Sequence, residues 1–271
     1  MYNFTRDKLR EGVKCEGIGL EFSCANQKGQ FYHSFSPHPA WKVVILDSYD
    51  VSIYRKGRGQ GLDAEALAEL CRHNPNVRDY VEENPDVLQT EKMSGGFPYF
   101  KGLSGKSMRW VPFNGGVGAV QLEWLRQELT AAQRAGQRVI VFTHLLLHPE
   151  ASVLGGKTLL WNYEQVLDLL AACGGSVSAV ISGHQHEGGN FTDPDTGIHH
   201  IAMQSPLLAD PGHRGPFALL EATSECLTLS GYGDCQLPSN PATPGAAIPI
   251  KHSSLSLRPL SLTDAKEPQQ A

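Results

Sequence analysis

Two apolar strands that each deliver histidine at their carboxyl end, with a helix ahead of each, constrain this chain more than any other feature. The first strand is RVIVFTH, ending in His144; the second runs through AVISGHQH, ending in His184 and His186. Ahead of the first, residues 119–135 place Leu122, Leu125, Leu129 and Ala132 on one helical face, and Gly136 stops the run. Between the two strands, residues 163–173 turn Val166, Leu167 and Leu170 inward and end at Gly174. This alternation of strand, helix and strand predicts an α/β layered fold. In open sheets of that kind, ligands bind in the crevice beyond the carboxyl ends of the strands.

The rest of the chain reads in three styles. WKVVILDSYD holds a buried strand over Val43–Leu46 that ends in a turn. Residues 55–112 carry the breakers KGRGQG, HNPN, ENPD and SGGFP, so they read as a loop-rich insertion. One short helix is expected there, over residues 63–72, with Leu67 and Leu70 inward. Strands at 198–203, 217–221 and 226–230 suggest an antiparallel finish. From 236 to 271 the chain has six prolines and little periodicity, which predicts a tail without fixed structure after a domain ending near 235.

Charge and cysteine usage exclude some classes. A net charge of −5 argues against a nucleic-acid binder. The opening MYNFTRDKLR has no apolar signal core, and no apolar run nears the ~18 residues of a membrane span. The six cysteines form no C-x-x-C pair, which suits free thiols in a reducing, cytoplasmic setting.

Three histidines at strand ends are candidate metal ligands: His144, His184 and His186. On extended backbone His184 and His186 point the same way, so one could reach each of two neighbouring ions. Imidazole suits several transition metals, so the histidines alone do not choose the ion. His148 lies four residues after His144, but Pro149 interrupts any helix, and a substrate-pocket or packing role fits it better than ligation. His200 could line the site. Asn114 with Gly115 and Gly116 allows close approach of backbone to a ligand, although a plain turn also explains NGG. Asn162 precedes a helix with Gln165 three residues on, which resembles a capping box and competes with a substrate contact. Trp161 and Tyr163 could stack on a base or belong to the core.

At this point the sequence resembles a family. FTH…GHQH is similar to the closing motifs of the calcineurin-like metallophosphoesterases. YNFTRDKL, ILDSYD, HNPN, FNGG, LLWNY and GHQHEGG resemble, in order, the manganese-dependent ADP-ribose/CDP-alcohol diphosphatase branch. The resemblance implies a four-layer α/β/β/α sandwich and a dinuclear Mn²⁺ or Mg²⁺ centre. His144 and His184 would then bind one ion and His186 the other. It also implies hydrolysis of a diphosphate in a small nucleotide substrate, with neither nucleic acid nor membrane as partner.

The same resemblance implies motifs that the sequence lacks. No Asp is followed two residues later by His, no Asn-His pair occurs, and the sole Gly-Asp, Gly233-Asp234, lies far downstream. The family domain is thus expected to be incomplete at its N-terminus, and the chain to be inactive by itself because half the ligands are missing. A missed upstream segment and a true short product both fit. Two alternatives stay open: a non-catalytic domain with one weak metal site, and a general phosphoesterase of the same superfamily.

Overall fold

The computed structural model describes residues 23–24, 31–54, 61–87, 97–208, 217–223, 226–232 and 246–249. Its centre is a seven-stranded mixed sheet. The strands are β1 (Ser23–Cys24), β2 (His33–His38), β3 (Trp41–Ile45), β4 (Arg138–Phe142), β5 (Val177–Ser182), β6 (Gly189–Thr192) and β7 (His199–Ala202). Their order across the sheet is β1-β2-β3-β4-β5-β7-β6. β3, β4, β5 and β7 run parallel, while β2 and β6 pair antiparallel with their neighbours.

Period-two alternation sends each parallel strand's side chains into two different cores. Val44, Val139, Val141 and Val180 face two helices, α3 (Ala119–Arg134) and α4 (Tyr163–Ala171), through Leu125, Leu129, Val166 and Leu170. Ile140, Ala179, Ile181 and Ile201 face the other way, onto Leu227 and Leu229 of a second sheet. That sheet is antiparallel, in the order β10-β9-β8, with β8 at Phe217–Ala222, β9 at Cys226–Tyr232 and β10 at Ala246–Pro249. Three of the four expected layers, α/β/β, are therefore present among the described residues. Full burial of one leucine side chain contributes about 1.5–3 kcal/mol, and Leu125 and Leu129 are both inaccessible to solvent.

The insertion departs from its loop-rich reading. It contains α1 (Ala64–His73), close to the expected helix, and a second helix, α2 (Pro75–Glu83). HNPN, taken from sequence as a breaker, is the junction of the two. The Asn74 side chain accepts from the Asn76 and Val77 amides as the N-cap of α2, and Pro75 occupies its first turn. Asn74 is fully buried because its Nδ2 also donates to the carbonyls of Tyr99 and Trp110. Ile53, Leu62, Leu67, Leu70, Val77, Trp110 and Trp161 give this lobe a core of its own. The tail departs as well, since residues 246–249 form β10 on β9. The remaining tail residues and MYNFTRDKLR lie outside the described residues. Cys71, Cys173 and Cys226 are free thiols.

Candidate metal centre

The parallel strands β3, β4 and β5 end side by side, and the turns after them build the site. His144 follows β4 by two residues. The buried Ser48 hydroxyl, from the turn after β3, accepts from the amides of His144 and Leu145 at 3.0 and 3.1 Å. Its own proton is directed to Thr143 Oγ1, 2.7 Å away, which donates in turn to the Leu145 carbonyl. After β5, the Gly183 amide donates to the His144 carbonyl at 3.1 Å, tying the two histidine turns together. His184 adopts φ of 64°, the only left-handed non-glycine among the described residues. Between His184 and His186, the buried Gln185 side chain points inward. It accepts from Ser152 Oγ and the Val153 amide and donates to the Gly188 carbonyl.

His144 and His184 meet edge to face, with His184 Nδ1 3.2 Å from His144 Nε2. His184 Nε2 lies 3.0 Å from Asn114 Oδ1. The protein packed around the His144 ring, and then the charge of His186, hold its pKa below the ordinary histidine value. His184 falls further, to about 4, through burial first and then through His144 and His186. Both rings are therefore neutral at pH 7, the state a metal ligand requires. His186 is exposed and reaches the pair through its charge.

The other candidates serve mainly to hold these turns. Asn114 is fully buried beside His184. A Cβ on Gly115 would stand 2.6 Å from the Ser48 carbonyl oxygen and 2.9 Å from that of Val51, and one on Gly116 3.0 Å from Asn162 Oδ1. Packing thus requires Gly115 and leaves little room at Gly116. Asn162 sits at the N-cap of α4 without bonding its amides. Its Oδ1 accepts from the Val117 amide, and its Nδ2 donates to the Val117 carbonyl and to Gln165 Oε1. The capping expectation is corrected on that ground: the side chain clamps the 114–118 loop instead. His148 caps the short 149–151 turn with Nδ1, stacks on Phe191 and lies 4.9 Å from the tilted ring of the buried His200. Trp161 and Tyr163 are core residues, 2 % and 3 % exposed. The exposed aromatic beside the site is Phe113, 41 % accessible and 6.4 Å from the His184 ring. It was overlooked in the sequence although it opens the FNGG motif.

Two imidazole nitrogens bound at right angles to one ion, at roughly 2.1 Å each, stand about 3 Å apart, close to the observed 3.2 Å. The pair therefore fits part of one coordination sphere. The pair alone does not complete a dinuclear centre, in which a carboxylate would bridge the two ions. Among the described residues no three His, Cys, Asp or Glu side chains gather as a ligand group. The nearby acids are engaged locally: Asp47 Oδ1 accepts from the Tyr49 amide and Asp50 Oδ2 from that of Gly118.

No protein-family model matches the chain. Comparison with individual proteins is more informative. The chain is 33 % identical, over 231 residues and 85 % of its length, to a manganese-dependent ADP-ribose/CDP-alcohol diphosphatase of Arabidopsis thaliana, covering 64 % of that protein. Against the protein of the same name from Danio rerio it is 32 % identical over 86 % of its length, covering 66 %. The corresponding figures for Homo sapiens are 29 %, 86 % and 62 %. A dimetal phosphatase from Danio rerio superposes with a TM-score of 0.64 and 27 % identity, over 92 % of this chain and 68 % of the other. The chain spans just under two thirds of the length of these curated relatives. Over that span it is similar to the manganese-dependent ADP-ribose/CDP-alcohol diphosphatases and carries the fold of a dimetal phosphatase.

Proposed function

We propose that this chain acts in metal-dependent hydrolysis of the diphosphate bond of ADP-ribose, CDP-alcohols and similar nucleotides, with Mn²⁺ as the working ion. The observation that carries this reading is the neutral His144–His184 pair at the carboxyl ends of adjacent parallel strands. His144 and His184 would hold one ion, and the exposed His186 would reach a second. A divalent ion bound there supplies charge neutralisation at phosphate and a more acidic bound water. Ser48 and the Gly183–His144 bond keep the rings in place, and Phe113 offers a face on which a nucleobase can stack.

The donor set sets the expected rate. With imidazoles gathered and no carboxylate among them in the described residues, this chain should bind one ion weakly and turn over little substrate. Isothermal titration with Mn²⁺, together with phosphate-coupled assays on ADP-ribose and on a simple phosphodiester, tests both statements. One weakly bound ion lost in His184→Ala supports the ligand assignment, and no bound ion removes it. Rapid ADP-ribose turnover by the chain alone would show that its ligand set is sufficient. A preference for the phosphodiester would favour a general phosphoesterase.

A further inference from the structure

We propose that Asn114 is a positioning residue whose side-chain oxygen sets the tautomer of His184, leaving Nδ1 as the nitrogen able to take a metal ion. The inference rests on the reading of His184 as a ligand, and it adds which ring atom binds and what selects it.

Asn114 has no freedom to turn. It is fully buried, and its Nδ2 donates to two carbonyls, Arg109 at 2.9 Å and Lys157 at 2.8 Å. Both amide hydrogens are used. A flipped amide would press Oδ1 against those two carbonyl oxygens and leave three acceptors without a proton between them. Oδ1 must therefore face the other way, toward His184 Nε2 at 3.0 Å. An amide oxygen only accepts, so Nε2 carries the hydrogen. In a neutral imidazole Nδ1 then bears the lone pair, and Nδ1 is the atom directed at His144 Nε2.

The loop that carries Asn114 is built to hold this direction. Gly115 admits no Cβ against the Ser48 and Val51 carbonyls, and Gly116 packs on Asn162, which is bonded twice to Val117. The amide is thus referenced to two carbonyls in distant parts of the chain and to a rigid turn. Ligating histidines commonly give their second ring N–H to an oxygen acceptor, which fixes tautomer and orientation. Here a side-chain amide does so from 70 residues away.

The test begins on metal-free, ¹⁵N-histidine-labelled wild-type protein in mildly alkaline buffer. Multiple-bond ¹⁵N–¹H correlation spectra report which nitrogen of each ring is protonated, and the His184 signals are assigned by their loss in His184→Gln. A protonated Nε2 and bare Nδ1 are expected. A protonated Nδ1 overturns the proposal, and this arm needs no folded Asn114 variant. In Asn114→Leu the His184 tautomer should shift toward Nδ1–H and Mn²⁺ affinity fall about tenfold or more. An unchanged tautomer in that variant also overturns the proposal. If wild type shows the expected tautomer yet binds no Mn²⁺, the tautomer assignment holds and the ligand reading of His184 fails.

Discussion

Two histidine pairs have nearly equal ring separations, 5.0 Å for His144–His184, beyond the ends of β4 and β5, and 4.9 Å for His148–His200, with His200 inside β7. The first pair meets edge to face and brings two nitrogens to 3.2 Å. The second meets closer to face on, at 41°, with Phe191 stacked on His148. Both His200 nitrogens are buried without a hydrogen-bond partner among the described residues. Ring proximity is therefore a poor guide to ligand chemistry; which part of the ring faces the neighbour decides. The first pair brings nitrogen to nitrogen, whereas the second leaves both His200 nitrogens unbonded in the interior.

Both pairs should lose stability in acid, and the largest single contribution is expected from His200. Burial, then the charge of His148, lowers His200 to about 3 from the ordinary histidine value near 6.5. The folded state thus binds its proton less readily than the unfolded chain does. Stability is full above the unfolded value and falls as pH drops through the window from 6.5 toward 3. The ceiling is about 5 kcal/mol for this group. Urea unfolding across that window should show the loss, and His200→Leu should flatten the slope. An unchanged slope would mean that His200 is wet or partnered.

A smaller loss should separate the pairs from the other side. Gly115→Ala drives a methyl into two backbone oxygens and should cost about 1–3 kcal/mol, read as a lower urea midpoint. It should disturb the edge-on pair through Asn114 and leave the acid slope of His200 as it was. A full-strength midpoint would show that the loop yields.

The comparison is sharpened directly by Mn²⁺ titration. His184→Ala should weaken binding more than about tenfold, whereas His200→Leu should stay within about twofold. Equal losses would place the His148–His200 pair at the bound ion as well. The smallest effect belongs to Phe113→Ala, which should raise the KM for ADP-ribose a few-fold, about 1 kcal/mol, with kcat and the urea midpoint unchanged.

The difference between the pairs also marks how far the sequence was legible. The strands before His144 and His184, and helices α3 and α4, could be read because each has strong periodicity and a glycine stop, Gly136 at φ 67° and Gly174 at φ 57°. Helix α2 could not, since it buries only Val77 and its stability comes from Asn74, a cap that looks like a turn residue in isolation. His144 and His184 announced themselves by standing at strand ends. The task of Asn114 did not, because it depends on carbonyls 5 and 43 residues away. Asn162 misled for the same reason: its Oδ1 accepts from the distant Val117 amide and not from the amides of the helix that follows it.

The left-handed backbone at His184 has a consequence for timing. A side-chain-bearing residue held at φ of 64° gives up about 1–2 kcal/mol, and histidine is among the residues found there more often than most. That cost falls on folding, when Gly183 bonds to His144 and Gln185 is sealed beneath the turn. An arriving ion meets a backbone that has already bent, so little ordering remains at the moment of capture. Capture should then run at the pace of encounter and desolvation, without a slow conformational phase.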